Sequence, residues 1–380
     1  MEKEQLLNSL ANHSVWQGFP RGRLIPLVES GEIVIVNAGT TLFEQYHPAK
    51  QFFLLGEGCL SHSGMAAKRG AQIPFGPISA PLAAIGWSGF LQTQRFGTTV
   101  TADTDSLLVA WSQDRLRRLF YADPELSVRL FRLILHSVCN QFYDLRRNRQ
   151  RDKSVVAPPP MLNTTKIATP PLTASDCLRQ SAFFGRFPDQ PLDQLAESAR
   201  PEYFPGGSKL AKQDGDLDGP MVLVSGSCHV LFEKQGPDKT AHYHPFSRFR
   251  ESIGIVAGIP TIEGGYKAEA SVYATSGCWV YHIPAASIEA LLKYDPEFGR
   301  TFLQRLLARV AGLIGAARIT PHLDVSDPEL ETIADLIANS QTRLPVTSAI
   351  HQIPHLLGNK LTIGTANSQL EIAVPMVAQG

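Results

Sequence analysis

The chain has 380 residues, of which 43% are hydrophobic and 18% charged, so it is long enough for two or three domains with buried cores. Lys plus Arg and Asp plus Glu number 35 each, and the net charge of zero argues against a general attraction to nucleic acid or anionic lipid. No apolar run approaches the roughly 20 residues of a membrane-spanning helix, and the first residues lack the pattern of a signal peptide.

The chain begins with a predicted N-terminal helix over residues 1–13. Beyond it, the cysteines stand far apart and no CxxC pair occurs, so we expect reduced, mostly buried thiols in a cytoplasmic protein. His242 and His244 are more typical of a surface loop than of a metal site, and no other histidines have ligand spacing. We therefore predict neither a metal nor a cofactor. The cysteines are Cys59, Cys139, Cys177, Cys228 and Cys278.

Two long stretches of the chain resemble each other. VNAGTTLFEQ (36–45) matches FPGGSKLAKQ (204–213), and YADPELSVRLF (121–131) matches KYDPEFGRTFL (293–303) at a slightly longer spacing. A register held over most of a domain indicates a duplication, with a single short insertion predicted between Gly254 and Val272. The paired residues are Gly39 and Gly207, Gly58 and Gly226, Gly86 and Gly254, Val100 and Val272, and Asp123 and Asp295.

Within each copy, short segments rich in β-branched and aromatic residues are separated by glycine turns, which is typical of an antiparallel roll. Asp123 and Asp295 then cap long amphipathic helices with Pro in the first turn. We predict an α+β, mainly β fold with two β-roll domains, each followed by a long amphipathic helix, and a short C-terminal extension. The predicted domains are 14–152 and 176–320, with a Pro-rich linker over 153–175 and the extension over 321–380.

The apolar stripes of the two long helices allow two interpretations. Each stripe packs only on its own roll, or the helices pair with one another, within one chain or across a dimer. On the second interpretation a protein partner or a second copy would bind through Leu130, Ile134, Phe142, Phe302, Leu306 and Val310. The basic run LRRNRQRDK (145–153) at the end of the first helix is expected to be solvated, with nucleic-acid contact as the alternative.

This layout resembles the cyclic nucleotide-binding domain. In the first copy the resemblance rests on LIPLVESGEIVIVNAGTTLFE and FFLLGEGC, and in the second on LDQLAESARPEYFPGGSKLAKQDGD, MVLVSGSCHV and ASVYA. It covers both copies, about three quarters of the chain. The resemblance implies a site where backbone N–H groups and an arginine hold a cyclic phosphate and a glutamate holds the ribose.

Both copies depart from the family pattern. In the first, Trp87 stands at the glutamate position, while Arg95 lies about where the arginine should; in the second, Ile255 replaces the glutamate and Glu263 stands opposite Arg95. A carboxylate repels a phosphate, so we expect no cyclic nucleotide in the second copy. The alternative there is that Lys267 reaches an anion. The candidate ligand-binding residues are Gly86, Trp87, Ser88, Arg95, Thr98 and Thr99.

Two of these candidate residues also have purely structural interpretations. Arg95 fits a surface salt bridge or a loop anchor as well as a phosphate ligand. Trp87 fits a core or lid aromatic better than a platform for a base. The resemblance therefore leaves open whether the first copy binds a ligand.

The C-terminal extension gives weaker signals. DPELETIADLIANS (327–340) predicts a capped helix, and residues 346–373 faintly resemble a helix-turn-helix with Gly358 at the turn. Pro354 falls inside the first helix of that module, where a proline destabilises helical structure. Lys360 is the only basic residue from Ala349 to Gly380, so a recognition helix there would have few cations for phosphates. We therefore favour a docking or self-packing segment over DNA binding.

No sequence signature of an enzyme occurs, and we predict no catalytic residue. The favoured function is a non-enzymatic assembly, accessory or regulatory subunit of a cytosolic complex that has lost cyclic-nucleotide binding. The alternative is a regulator that senses a small anion or a nucleotide through the first domain. A transcription regulator with a degenerate helix-turn-helix is the third and least favoured hypothesis.

Overall fold

The computed structural model describes residues 3–65, 72–149, 168–231, 233–235, 241–243, 248–250, 253–263, 265–319, 356–357, 360–365 and 368–373. These residues form eight α-helices and a set of antiparallel sheets, which confirms the predicted α+β, mainly β fold class. They divide into two compact units. Unit 1 holds the described residues up to Gln141 and from Leu307 onward, and unit 2 holds Phe142–Leu306.

Unit 1 contains the first β-roll, roll 1. Its two four-stranded sheets have the orders β1-β8-β3-β6 and β2-β7-β4-β5. Alternating apolar residues of both sheets, such as Phe53, Leu60, Val100 and Leu108, face inward and form its core. The elements are α1 (Lys3–Asn12), α2 (Arg21–Ser30), β1 (Glu32–Val36), β2 (Thr41–Phe43), β3 (Gln51–Glu57), β4 (Leu60–Met65), β5 (Gln72–Ile78), β6 (Ala84–Ile85), β7 (Thr99–Ala102) and β8 (Ser106–Ser112).

Unit 2 contains the second β-roll, roll 2, whose sheets have the equivalent orders β9-β18-β11-β16 and β10-β17-β12-β15. Equivalent hydrogen bonds close the two rolls: Gly39 N–H donates to the Ala102 carbonyl at 2.7 Å and Gly207 N–H to that of Ala274 at 2.8 Å. The strands are β9 (Arg200–Phe204), β10 (Lys209–Ala211), β11 (Met221–Ser225), β12 (Cys228–Leu231), β13 (Glu233–Gln235), β14 (Ala241–Tyr243), β15 (Arg248–Arg250), β16 (Gly254–Ala257), β17 (Ser271–Ala274) and β18 (Cys278–His282).

A short helix and a long helix follow each roll. The corner between them is fixed by an aspartate, since Asp123 accepts from the Leu126 N–H at 3.0 Å and Asp295 from the Phe298 N–H at 3.0 Å. The predicted long helices and their caps are confirmed, whereas the short helices were not predicted. The helices are α3 (Gln113–Ala122), α4 (Pro124–Arg149), α7 (Ala285–Tyr294) and α8 (Pro296–Ile319), and unit 2 also holds α5 (Ala174–Gln180) and α6 (Asp189–Ser198).

The six helix residues that were predicted to bind a partner are all buried within the chain: Leu130, Ile134, Phe142, Phe302, Leu306 and Val310. Their apolar surface is already covered by intramolecular packing, so the prediction that a partner docks on them is wrong for this fold. The basic helix end is also corrected in part, because Arg146 is only 8% exposed instead of solvated.

In the C-terminal extension, the structure describes three antiparallel strands in place of the predicted helix-turn-helix. They are β19 (Leu356–Leu357), β20 (Lys360–Thr365) and β21 (Ser368–Ala373), paired in the order β19-β20-β21. The alternation of apolar and polar residues in KLTIGT and SQLEIA has the period of a strand, which explains the difference. Three regions with sequence predictions lie outside the described residues. They are residues 150–167, which hold most of the predicted linker, the predicted helix over 327–340, and Gly358.

Candidate functional site

The candidate site of roll 1 is built on a tight turn after β6. Gly86 has φ 74°, a left-handed conformation that side chains rarely adopt, and it begins a 3₁₀ helix, Trp87–Phe90. A Cβ on Gly86 would lie 2.9 Å from the Gln51 carbonyl oxygen, so the close approach of the two segments also requires glycine. We call Gly86 together with Trp87–Phe90 the roll-1 cradle.

A cleft of about 40 Å³ opens beside this cradle, which is space for about three water molecules. Its polar lining groups come from His62 and Gln141 in addition to the cradle and Thr98, and none of the residues that line it is a Lys, Arg, Asp or Glu. An anion buried there would have no opposite charge beside it, which is costly. The lining residues are Phe43, His62, Ile78, Ala84, Ile85, Gly86, Trp87, Ser88, Gly97, Thr98, Val100 and Gln141.

Arg95, the predicted phosphate ligand, does not line this cleft. Its side chain is exposed, and its Nη1 donates to the carbonyl oxygen of Tyr46 at 2.8 Å. Arg95 also forms an isolated β-bridge with Pro48. The guanidinium therefore anchors the loop around Tyr46, where the backbone itself has a left-handed φ of 69°.

The remaining predicted site residues divide between the cleft and its supports. Gly86, Trp87, Ser88 and Thr98 line the cleft, and Ser88 Oγ also accepts from the Gly97 N–H at 3.3 Å. Thr99 is a support, because its Oγ1 accepts from the Gln45 N–H at 3.0 Å. Four of the six predicted residues thus line one cleft. Arg95, the only charged residue of the six, lies outside it.

Two lining residues with polar side chains were missed in the sequence. His62 is buried in β4 with its ring edge-to-face against Phe75, and Gln141 lies on α4. The signal for Gln141 is Ser137, one turn earlier on α4, whose Oγ accepts from the Ala84 N–H at 2.9 Å. Polar residues spaced by one turn in an apolar helix stripe mark the side that faces the cradle.

The strand register of roll 2 corrects the predicted counterpart of Gly86. Phe53 pairs with Ile85 in roll 1, and Met221, which the repeat aligns with Phe53, pairs with Ala257 in roll 2. The counterpart of Ile85 is therefore Ala257, and that of Gly86 is Gly258 rather than Gly254. Gly258 has the same left-handed conformation, with φ 83°, and precedes the 3₁₀ helix Pro260–Glu263.

This register also changes which residue of roll 2 stands opposite Arg95. Once Gly86 is aligned with Gly258, Arg95 is aligned with Lys267, and the predicted opposition of Glu263 to Arg95 is wrong. Equivalent backbone bonds support the register, since Phe96 N–H donates to His47 and Ala268 N–H donates to Gly215, both at 2.9 Å. Lys267 is ion-paired with Asp216 in an exposed position.

The described residues also include carboxylates, histidines and cysteines outside the cleft. No group of three or more His, Cys, Asp or Glu side chains there is placed to hold a metal ion, and no helix described there is long and apolar enough to cross a membrane. All five cysteines are free thiols, four of them buried. Burial raises the pKa of Cys177 to about 12 and that of Cys278 to about 11, so both thiols stay protonated and unreactive at neutral pH.

Comparison with solved structures finds cyclic nucleotide-binding proteins, the family that the sequence resembles. The regulatory domain of PKA from Toxoplasma gondii, solved with cAMP, is 16% identical, covers 81% of this chain and 96% of its own, and has a TM-score of 0.30. The regulatory subunit of a cAMP-independent protein kinase A from Trypanosoma brucei, bound to cAMP in its A site as a mutant, is 13% identical over 77% of this chain and 90% of its own, with a TM-score of 0.26.

A third match covers a smaller part of this chain. A cyclic nucleotide-binding-like protein from Brucella abortus is 18% identical, covers 30% of this chain and 97% of its own, and has a TM-score of 0.27. No protein-family model and no curated protein matches the chain. At these identities and TM-scores the matched structures do not show what this chain binds or does.

Proposed function

We propose that this chain is a non-enzymatic regulatory or assembly subunit of a cytosolic complex, and that neither of its rolls binds a cyclic nucleotide. Its two repeats are the domains 14–152 and 176–320. The observation that carries the proposal is the position of Arg95, whose guanidinium binds the Tyr46 carbonyl outside an uncharged cleft. A cyclic nucleotide in that cleft would bury its phosphate without a cation.

The polar groups beside the cradle are engaged in ways that support this proposal. Gly97 N–H and Gln45 N–H donate to side-chain oxygens of Ser88 and Thr99, so these amides are occupied within the chain. The cleft itself has room for about three water molecules. Binding a nucleotide would require both a larger cavity and the release of Arg95 from Tyr46.

Calorimetric titration of the full chain with cyclic AMP, cyclic GMP and cyclic dinucleotides tests the proposed loss of binding. We expect no heat of binding from any of them. Heat that disappears in the Arg95→Ala variant would refute the proposal and establish the alternative, a nucleotide sensor in roll 1. Heat that persists in Arg95→Ala would also refute it and would place the ligand away from Arg95.

The assembly role is supported by apolar surface at one edge of roll 1. β1 is the end strand of its described sheet, and Ile33 and Ile35 on that strand are 42% and 73% exposed. Exposed apolar edge strands favour pairing with another chain. We expect sedimentation velocity to detect a dimer, or affinity capture from native lysate to recover a partner, and the Ile35→Lys variant to weaken the association. A monomer that captures nothing would refute the assembly role.

The small-anion alternative has one observation in its favour. His62, Ser88, Thr98 and Gln141 bring hydrogen-bonding groups to the same cleft. Such groups can hydrogen-bond a small, weakly charged anion such as acetate better than they can hold a nucleotide phosphate. The same titrations with inorganic phosphate and acetate, repeated on Ser88→Ala, distinguish this alternative, because it requires heat that the variant loses.

A further inference from the structure

In unit 2, the last turns of α4 bind the segment of roll 2 that carries Lys267. Arg146, 8% exposed, donates through Nη1 to the carbonyl oxygen of Glu269 at 2.8 Å and through Nη2 to the carboxylate of Asp214. Its guanidinium also lies over the ring of Tyr143, 4.8 Å from the centroid. A buried guanidinium with a backbone acceptor, a carboxylate and an aromatic face is held in one position.

Tyr143 holds the same segment one turn earlier on the helix. Its hydroxyl donates to the Lys267 carbonyl oxygen at 2.5 Å, and its ring stacks on Tyr266 with centroids 5.6 Å apart and planes 10° apart. Tyr143 and Arg146 thus bind three of the five residues of the segment 265–269. We call these two side chains the helix latch.

The segment under the latch carries a buried carboxyl side chain. The carboxylate of Glu269, a residue only 5% exposed, accepts from the Gly258 N–H at 3.0 Å. Gly258 is the counterpart of Gly86 at the start of the cradle. In roll 1 the position of Glu269 is taken by Gly97, which has no side chain, and the Gly97 N–H binds Ser88 Oγ instead.

We propose that roll 2 is closed by its own residues: the Glu269 carboxylate takes the place of an external anion on the Gly258 amide, and the helix latch holds the segment 265–269 against it. Roll 2 is then in its closed state without any small molecule. This inference concerns roll 2 and goes beyond the proposed loss of cyclic-nucleotide binding.

Amide hydrogen exchange on the full chain tests the latch at three reporter amides in roll 2. Gly258 N–H binds Glu269, Asp214 N–H binds the Ala268 carbonyl at 3.0 Å, and Ala268 N–H binds Gly215 at 2.9 Å. Arg146→Met removes the hydrogen bonds but keeps the apolar stem. We expect exchange at all three amides to accelerate about tenfold or more, because the segment loses the guanidinium that holds it in place.

The matched control is Arg129→Met on the same helix. Arg129 Nη1 donates to the Val15 carbonyl oxygen at 2.7 Å in unit 1, so its loss should leave the three reporter amides unchanged. If Arg146→Met does not fold, the same exchange measurement is made on Tyr143→Phe, which removes one hydroxyl, and on Glu269→Gln, which removes one ionisable group. Unchanged reporter exchange in the folded variants would overturn the latch.

Addition of cyclic AMP to the wild-type chain separates this inference from the proposed function. The latch requires that the nucleotide leaves exchange at Asp214, Gly258 and Ala268 unchanged, and slower exchange at these amides would overturn it. Slower exchange confined to Gly86 and Gly97 would refute the proposed loss of binding in roll 1 while supporting a roll 2 that closes without a ligand.

Discussion

At the scale of single residues, two glycines determine the path of the chain into the cradles. Gly86 and Gly258 both have a left-handed φ, and the space where a Cβ would lie is filled by backbone, the Gln51 carbonyl for Gly86 and the Gly219 carbonyl for Gly258. The left-handed φ and the occupied Cβ position each disfavour a side chain, and together they allow one only if the backbone rearranges. Gly254 has neither feature, although the sequence pairs it with Gly86.

This difference gives a prediction that tests the corrected register. Gly258→Ala should lower the free energy of unfolding of unit 2 by about 2 kcal/mol or more, since it combines backbone strain with a clash. Gly254→Ala, where no atom lies within 4 Å of the added Cβ, should change it by less than about 0.5 kcal/mol. Chemical denaturation followed by fluorescence measures both. Equal effects of the two substitutions would contradict the register.

At the scale of elements, the start of α8 is fixed by a cluster of phenylalanines in unit 2. The ring of Phe302, which is fully buried, lies within 5.6 Å, centroid to centroid, of Phe183, Phe187 and Phe298. Aromatic contacts of this kind stabilise beyond the burial of area alone. The segment around Phe183–Phe187 therefore holds α8 on roll 2.

Truncation of this cluster predicts a large loss of stability. Phe302→Ala should cost about 3–5 kcal/mol of the unfolding free energy of unit 2, because it leaves a cavity between α8 and its neighbours. Tyr294→Ala, at a residue that is 82% exposed, is the control and should cost less than about 0.5 kcal/mol. Thermal and chemical denaturation compare them. A loss below about 1 kcal/mol in Phe302→Ala would show that the cluster does not hold the helix.

The elements also show which parts of the fold could be predicted from the sequence. The long helices were predicted because an aspartate cap, a proline and a 3–4 spaced stripe act within one segment. The register of the second cradle was wrong because it depends on pairing between distant strands: IGWSG and IGIVA are similar locally, yet Met221 pairs with Ala257. The orientation of Arg95 depends on the carbonyl of Tyr46, far away along the chain, and no local pattern encodes that contact.

At the scale of the whole molecule, histidines whose pKa is lowered by burial occur in both units. Burial lowers the pKa of His229 in roll 2 to about 4. In unit 1, the rings of His13 and His136 are 5.6 Å apart; burial lowers the pKa of both, and the neighbouring charge of His136 lowers that of His13 further. The chain has 35 acidic and 35 basic residues and a formal net charge of zero at neutral pH, and histidines are the side chains that titrate first on mild acidification.

These shifts predict a loss of stability on mild acidification. A histidine whose pKa is about 4 when folded and 6.5 when unfolded binds its proton first in the unfolded chain, so its contribution is complete above pH 6.5 and decreases as the pH falls toward 4. Between pH 7 and pH 5, His229 alone should lower the unfolding free energy of unit 2 by about 2 kcal/mol. Chemical denaturation at several pH values measures this decrease in unfolding free energy. It should be absent in His229→Gln, whose side chain stays neutral, and present in the control His47→Gln, at an exposed position. A pH profile that is the same in wild type and His229→Gln would show that His229 does not control the acid stability of roll 2.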